Sequence, residues 1–262
     1  MCVCRKIIAV SAIVLTTACA FDGKIHRPEA EADPFESINR PIFGFNQQVD
    51  KYVLKPVAEG YRAITTPFIR ERVNNTLANI TEPVSAVNNL LQGEPKDAVI
   101  NVSRFAVNST LGLVGMFDVA QGWGLKPQKT SMNETLAKWC VVDGPYIVLP
   151  VLGPSTPRAA VGMAADSVMN PVYISTYDDA NIRDKINYSY TAVRGVATRE
   201  NAMELLDDLE RNSVDLYAAT RSAYLQNQSK LRCYNDTTSD TDAYDFDFGI
   251  EDEEAEFESA GY

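Results

Sequence analysis

Gly144-Pro145-Tyr146-Ile147-Val148-Leu149-Pro150-Val151-Leu152-Gly153-Pro154-Ser155-Thr156-Pro157 runs fourteen residues without a charge. Proline and glycine interrupt it too often for a regular helix. It is also shorter than the roughly 20 apolar residues that cross a bilayer as a helix. Two settings remain: a buried strand or turn in a folded core, or irregular apolar backbone against a membrane or a cavity. The stretch alone does not choose between them, so the termini matter.

Arg5 and Lys6 precede an apolar run, Ile7 to Leu15, followed by the small residues Thr16, Thr17 and Ala18 and then Cys19. A short positive segment, a short apolar segment and a small-residue junction predict a signal peptide over residues 1–18 rather than a transmembrane helix. Cysteine directly after the small residues resembles a bacterial lipobox. Its usual leucine is here Thr16, with Leu15 one place earlier. The expected covalent lipid therefore sits on Cys19, and more than one acyl chain anchors stably at about 0.8 kcal/mol per buried methylene. Ala20, rather than aspartate, follows the cysteine, which by the same resemblance implies sorting to the outer membrane. Residues 19–32 then form a lipidated start and polar tether.

At the other end, residues 235–262 read as an acidic, disordered tail. The segment from Asp236 to Tyr262 holds eleven acidic residues and no Lys or Arg, so it accounts for the whole net charge of −11. The body is neutral, which removes any basic footprint for nucleic acid. Low hydrophobicity and self-repulsion keep such a tail solvated.

Between these ends, residues 33–234 read as an all-α domain in which proline stands at most helix starts. Asp33-Pro34 is a cap followed by proline at the first turn. Phe35, Ile38, Ile42, Phe45, Val49 and Tyr52 then recur at helical spacing on one face. Pro56, Thr66-Pro67, Thr81-Glu82-Pro83, Glu94-Pro95, Thr156-Pro157 and Asn170-Pro171 predict further helix starts. The last helix is expected from about Asn187 to Leu231. Its acids Glu200, Glu204, Asp207 and Asp208 lie on a solvated side, opposite Met203, Leu206 and Leu209. Phe105 to Phe117 carries no charge over thirteen residues. It reads equally as a core helix with close contacts at Gly112 and Gly115 or as a segment partly inserted in a membrane.

The chemistry that this sequence lacks is informative. His26, in the tether, is its single histidine. A histidine-dependent triad or multi-histidine metal site is not available, and neither a phosphate-binding loop nor a dinucleotide fingerprint occurs. Glu82 and Glu94 stand at expected helix starts, where carboxylates are favoured electrostatically. The expectation is no enzyme, no catalytic residues, no metal and no cofactor beyond the lipid on Cys19. In an exported body Cys140 and Cys233 allow a disulfide closing a loop of about 93 residues, worth roughly 4–5 kcal/mol, with two free buried thiols as the alternative.

Three blocks together resemble one family. The first is Asp33-Pro34-Phe35-Glu36-Ser37-Ile38-Asn39-Arg40 with Phe43-Gly44-Phe45-Asn46. The second is Glu82-Pro83, Asn88 to Gly93, Arg104-Phe105 and Asn108-Ser109-Thr110-Leu111-Gly112. The third is Gly144 to Pro150 with Gly153-Pro154-Ser155-Thr156 and Arg158. Asp215-Leu216-Tyr217 and Arg221-Ser222-Ala223-Tyr224 follow. The pattern, roughly Asp33 to Gln228, is similar to the VacJ/MlaA lipoproteins of Gram-negative outer membranes. The resemblance implies an irregular, ring-like helical domain with short Pro/Gly-broken apolar segments, lying in the inner leaflet on the periplasmic face beside a trimeric porin. It implies an amphipathic channel that takes phospholipids from the outer leaflet and passes them to a periplasmic carrier, maintaining lipid asymmetry. A structural, porin-scaffolding lipoprotein without transport is the alternative. Channel or hairpin candidates under this resemblance are Asn46, Cys140, Val142, Gly144, Tyr146 and Pro150. One departure stands out: where relatives place glycines in a hairpin before Gly144, this chain has Ala137, Cys140 and Val142. The expectation is a stiffer hairpin, pinned to the last helix if Cys140 pairs with Cys233.

Overall fold

The computed structural model describes residues 33–174 and 180–231. The predicted signal peptide, Cys19, the tether with His26, Tyr177 with the Asp178-Asp179 turn, Cys233 and the acidic tail lie outside the described residues. Within them the chain is a succession of helices with a single two-stranded hairpin.

Helix α1 (Glu36–Val49) runs through a π-helical segment, Asp50–Leu54, into α2 (Lys55–Ile64). Helix α3 (Pro67–Leu91) is followed by α4 (Pro95–Thr110), the short α5 (Val119–Gly122) and α6 (Met132–Lys138). Strands β1 (Ile147–Leu149) and β2 (Gly153–Ser155) pair antiparallel, with Val148 opposite Pro154. Helices α7 (Pro157–Met169), α8 (Pro171–Ile174), α9 (Ala180–Asn201), α10 (Met203–Asn212) and α11 (Leu216–Ser229) complete the described fold.

Local chemistry explains most boundaries. Thr66 and Thr156 cap α3 and α7 by accepting from Ile69 and Ala159 N–H groups, each with proline at the first turn. Ser131 caps α6 by accepting from the Glu134 N–H, and its hydroxyl donates to the Glu134 carboxylate. Gly93, at φ 77°, ends α3 in a Schellman turn, with Gly93 N–H on the Leu90 carbonyl and Glu94 N–H on that of Asn89. Pro56 stands in the first turn of α2, as expected, although the chain enters that helix from α1 through the π segment without a break. The expected helix start at Thr81-Pro83 is not found, and Pro83 sits within α3. A proline inside a helix costs one helical hydrogen bond, and the long packing of α3 along α4 offsets it. The expected final helix is three helices, broken at Ala202 and at Ser213–Asp215, where Asp215 caps α11.

The elements close on themselves. Helix α1 packs on β1, β1 pairs with β2, and β2 meets α11. That helix contacts α10, then α9, and α9 returns to α2 and, through Arg199 on Asp50, to the π segment. A second circuit runs through α3, α6, α7, α8 and α9. The result is an irregular, ring-like helical domain. No helix among the described residues is long and apolar enough to cross a membrane.

Burial is inverted relative to a water-soluble domain. Among the described residues seventeen buried side chains are polar or charged against thirteen apolar, and seven of those thirteen are alanine. The largest fully enclosed side chains are Asn39, Asn88 and Asn101, followed by Thr135, Thr156 and Ser155. Meanwhile Ile38, Phe45 and Tyr52, part of the apolar stripe on the first helix, point outward at 52–69% exposure, while Ile42 of the same stripe packs on the core. Periodicity located the apolar stripe correctly, and most of it faces outward.

Candidate functional site

The uncharged stretch that opens the sequence argument is the β1–β2 hairpin. What holds it is helix α1, through two asparagines seven residues apart and therefore on the same face two turns along. Asn39 donates from Nδ2 to the Tyr146 carbonyl at 3.1 Å and accepts from the Val148 N–H at 2.9 Å. Asn46 donates to the Leu149 carbonyl at 2.9 Å and accepts from the Val151 N–H at 2.7 Å. Each side-chain amide thus offers the hairpin the donor and acceptor that a neighbouring strand would offer. The two amides act as rungs, and α1 stands in for a third strand.

Beneath the rungs lies an aromatic core. Tyr146, Val148 and Tyr217 are buried together against Ile42, Phe43, Tyr224 and Leu225. Tyr217 meets Phe43 and Tyr146 edge-on at 5.5 and 6.1 Å, with the Arg40 guanidinium 4.5 Å above its ring. The Tyr217 hydroxyl donates to Asp33, which also accepts from Asn39 at 3.3 Å and faces Arg221 at 3.8 Å. Burial pushes the Tyr146 hydroxyl up to about 12, with the Asp33 charge adding to the effect. Burial and then the bond to Asp33 raise Tyr217 further.

The segment leading into the hairpin is fixed by Arg158, whose side chain is 3% exposed. Its Nε donates to Asn133 at 3.0 Å, Nη1 to the Val141 carbonyl at 2.9 Å and Nη2 to Gln228 at 3.2 Å, and it pairs with Asp143. One guanidinium therefore ties α6, the loop before the hairpin and α11 together.

The candidates named from sequence fall as follows. Asn46 is a rung. Tyr146 is core. Pro150 is exposed in the hairpin turn, immediately before Val151 at φ 67°. Gly144 has φ 76°, and a Cβ there would lie 3.0 Å from Pro157. Val142 projects outward at 61% exposure. Of the non-glycine positions before the hairpin, Ala137 is helical, while Cys140 keeps a left-handed φ of 62° that glycine adopts without strain. Cys140 is one half of a disulfide; Cys233 lies outside the described residues. Asn39 and Arg158 stood in the quoted blocks without an assigned role.

The rest of the interior is equally polar. Between α3 and α4, Glu82 pairs with Arg104 at 2.8 Å, and Arg104 reaches Asp118 at 2.8 Å. Asn108 donates to Asp118 at 3.0 Å and accepts from the Ala120 N–H at 2.9 Å. Glu82 is thus a buried mid-helix carboxylate, not the helix-start residue expected. Burial raises its carboxyl despite Arg104. Burial also opposes ionisation of Asp118, but hydrogen bonds from Arg104 and Asn108 outweigh it and hold that group low. Asn88 donates to Asp166 at 3.0 Å and accepts from the Thr135 hydroxyl at 3.0 Å, and burial raises Asp166.

Outside this interior the loops are apolar and strained. The charge-free segment is helical only to Thr110 and then turns outward. Leu113 and Val114 take φ of 53° and 60° and are 61% and 69% exposed. Val151 and Leu152 at the hairpin turn are 60% and 69% exposed. Left-handed backbone at bulky residues is costly, and here it lifts apolar side chains away from the body. The arrangement offers a polar, hydrogen-bonded inside and an apolar outside, which suits a body seated in lipid rather than in water.

Known proteins share this sequence pattern and fold. The chain matches the family model described as MlaA lipoprotein over residues 31–231. It is 34% identical over 222 residues to the Haemophilus influenzae protein named intermembrane phospholipid transport system lipoprotein MlaA, covering 83% of this chain and 85% of that one. It is 32% identical over 216 residues to the Escherichia coli K12 protein of the same name, covering 81% and 82%. An uncharacterized Rickettsia bellii protein is 37% identical over 195 residues, 74% of each chain. A solved structure concerned with maintenance of bacterial outer membrane lipid asymmetry superposes with a TM-score of 0.64 at 33% identity, covering 76% of this chain and 98% of that one. With its helical ring, its hairpin and more than half its length matched, this chain belongs to the MlaA lipoprotein family.

Proposed function

We propose that this chain is an outer-membrane lipoprotein that removes phospholipids from the outer leaflet through an amphipathic channel and passes them to a periplasmic carrier, maintaining lipid asymmetry. The observation that carries the reading is the inverted burial: asparagines, Glu82 and Arg104 inside, Phe45, Val114 and Leu152 outside. A phospholipid headgroup crossing hydrocarbon alone faces a barrier of several kcal/mol. A polar interior inside an apolar rim lowers that barrier without bond chemistry, so the protein acts as a conduit rather than an enzyme. The names of the Haemophilus and Escherichia relatives support the same reading.

Membership in a lipoprotein family supports the remaining assignments. Residues 1–18 are a signal peptide, Cys19 carries the lipid anchor, residues 19–32 are the tether, 33–234 the folded domain and 235–262 the acidic tail. A trimeric porin stands beside the domain in the outer membrane. Cys140 pairs with Cys233, which pins the loop before the hairpin to the segment after α11. Direction comes from the carrier and an energised partner elsewhere.

Surface labelling of outer-leaflet phosphatidylethanolamine, in cells with and without the protein, tests the reading. Labelling is expected to rise on deletion and fall on re-expression. Unchanged labelling, with the protein present and lipidated, overturns transport and leaves a porin scaffold, which a porin pull-down without bound lipid would support.

A further inference from the structure

The circuit of helices is closed by charge. Asp50, Lys55, Arg62 and Arg70 on the N-terminal side face Arg199, Glu200, Glu204 and Asp207 on the C-terminal side. Three cations and one acid meet three acids and one cation. Arg199 Nε and Nη2 hold the two oxygens of Asp50 at 2.6 and 2.9 Å. Lys55 Nζ lies 2.9 Å from Asp207, and Arg62 Nε lies 2.8 Å from Glu200. Arg70 shares Glu200 at 3.2 Å, and Arg62 Nη1 reaches Glu204 at 3.5 Å. Asn74 and Asn201 exchange amide hydrogen bonds at 3.1 and 3.2 Å beside them.

Two features distinguish this seam from simple packing. Arg199 has a side chain 7% exposed, yet its Nη1 is buried with no acceptor. Leaving a charged donor unmatched is costly, so the seam holds cationic hydrogen-bonding capacity that its own acids do not use. The Glu204 carboxylate opposite Arg62 is 86% exposed and held at only 3.5 Å, an arrangement that exchanges readily. Apolar residues shoulder the seam in sequence, Tyr52, Val53 and Val57 beside Asp50 and Lys55, Leu205 and Leu206 between Glu204 and Asp207, and all five are exposed.

We propose that this seam is a phospholipid headgroup site at the edge of the ring. The phosphodiester binds Arg199 and Arg62, an ammonium headgroup binds Glu200 and Asp207, and the acyl chains lie on the apolar shoulders. The seam's mixed charge matches a zwitterion, and its flanks match the tails. This inference rests on the reading that the chain carries phospholipid.

The test uses the full chain in detergent, with phosphatidylethanolamine or phosphatidylglycerol in mixed micelles as probe and inorganic phosphate as competitor. Arg199→Gln with Asp50→Asn removes one pair without stranding either charge. Arg62→Gln with Glu204→Gln does the same at a more exposed place, so one loss of fold does not end the test. Retained lipid is read by native mass spectrometry, and folding by thermal unfolding. The folded variants are expected to retain about tenfold less phosphatidylethanolamine, the scale of one lost charge-assisted hydrogen bond. Folded variants that retain lipid like wild type overturn the seam and leave the transport reading standing. Displacement of lipid by millimolar inorganic phosphate reassigns the site to free phosphate and overturns the lipid assignment. A wild-type chain that retains no phospholipid overturns the transport reading and the seam with it.

Discussion

Glu82 meets Arg104 at 2.8 Å where both side chains are only 4% exposed, midway along the interface of α3 and α4. Burial disfavours the Glu82 charge and Arg104 favours it, and burial wins, so the carboxyl titrates above its ordinary range. A raised carboxyl binds its proton more tightly folded than unfolded. Its contribution to stability is complete below the ordinary glutamate range and is lost as pH rises through the raised value. Thermal unfolding from pH 4 upward, comparing wild type with Glu82→Gln, is expected to show the wild-type advantage shrinking with pH. A constant difference would place the Glu82 carboxyl at its unfolded value.

The two rungs on α1 differ in burial and so in cost. Asn39 is 2% exposed, and Asn39→Ala strands the Val148 N–H and the Tyr146 carbonyl in the core. Chemical unfolding is expected to show a loss of about 2–5 kcal/mol. Asn46 is less buried and its backbone partners are closer to solvent, so Asn46→Ala is expected to lose about 1 kcal/mol. In cells both changes are expected to raise outer-leaflet phosphatidylethanolamine labelling, the Asn46 variant without a matching fall in protein level.

Arg158→Met removes four partners at once and leaves Asp143, 22% exposed, without its counter-charge. The expected loss is about 3–5 kcal/mol. Hydrogen exchange is expected to localise the new opening to residues 139–144 and the start of α6. Arg158→Lys recovers part of the loss at most, because an ammonium does not reproduce the planar reach to Asn133, Val141 and Gln228.

Two glycines inside helices predict opposite signs. A Cβ at Gly162 would lie 2.6 Å from the Asn133 backbone nitrogen, so Gly162→Ala forces α6 and α7 apart and is expected to cost about 1–3 kcal/mol. Gly195 in α9 has nothing within 4 Å of the added carbon, so Gly195→Ala is expected to gain about 0.5–1 kcal/mol. Thermal unfolding of the two variants side by side checks both.

Much of the helix pattern was legible because its signals are local. Thr66-Pro67, Glu94-Pro95 and Thr156-Pro157 do open helices, and Gly93 does close one. Pro83 misled because proline removes one donor but does not forbid a helix that is packed elsewhere. The faces were harder to read. A helical stripe of Phe35, Ile38 and Phe45 says that the helix has two sides, and only the surrounding medium says which side turns outward. Glu200 and Asp207 looked solvated because the cations that bury them, Arg62, Arg70 and Lys55, come more than 120 residues earlier in the chain. At the site, the uncharged stretch, Asn46 and Tyr146 were visible as motif residues, but the hairpin expected before Gly144 is a loop and the two-stranded hairpin follows it at Ile147–Ser155. Asn39 and Arg158 were not singled out, since a side chain that satisfies distant backbone leaves no mark at its own position.

The inverted interior has a consequence for how the chain reaches its folded state. Collapse in water gathers Phe, Leu and Val and leaves Asn and Glu outside, which is the opposite sorting to that of this body. In an aqueous compartment the fastest compaction therefore leads away from the final arrangement and toward aggregation. Productive assembly must be deferred until an apolar phase can take the rim. An escort that covers the apolar stripes in transit would do so by keeping the chain from folding too early.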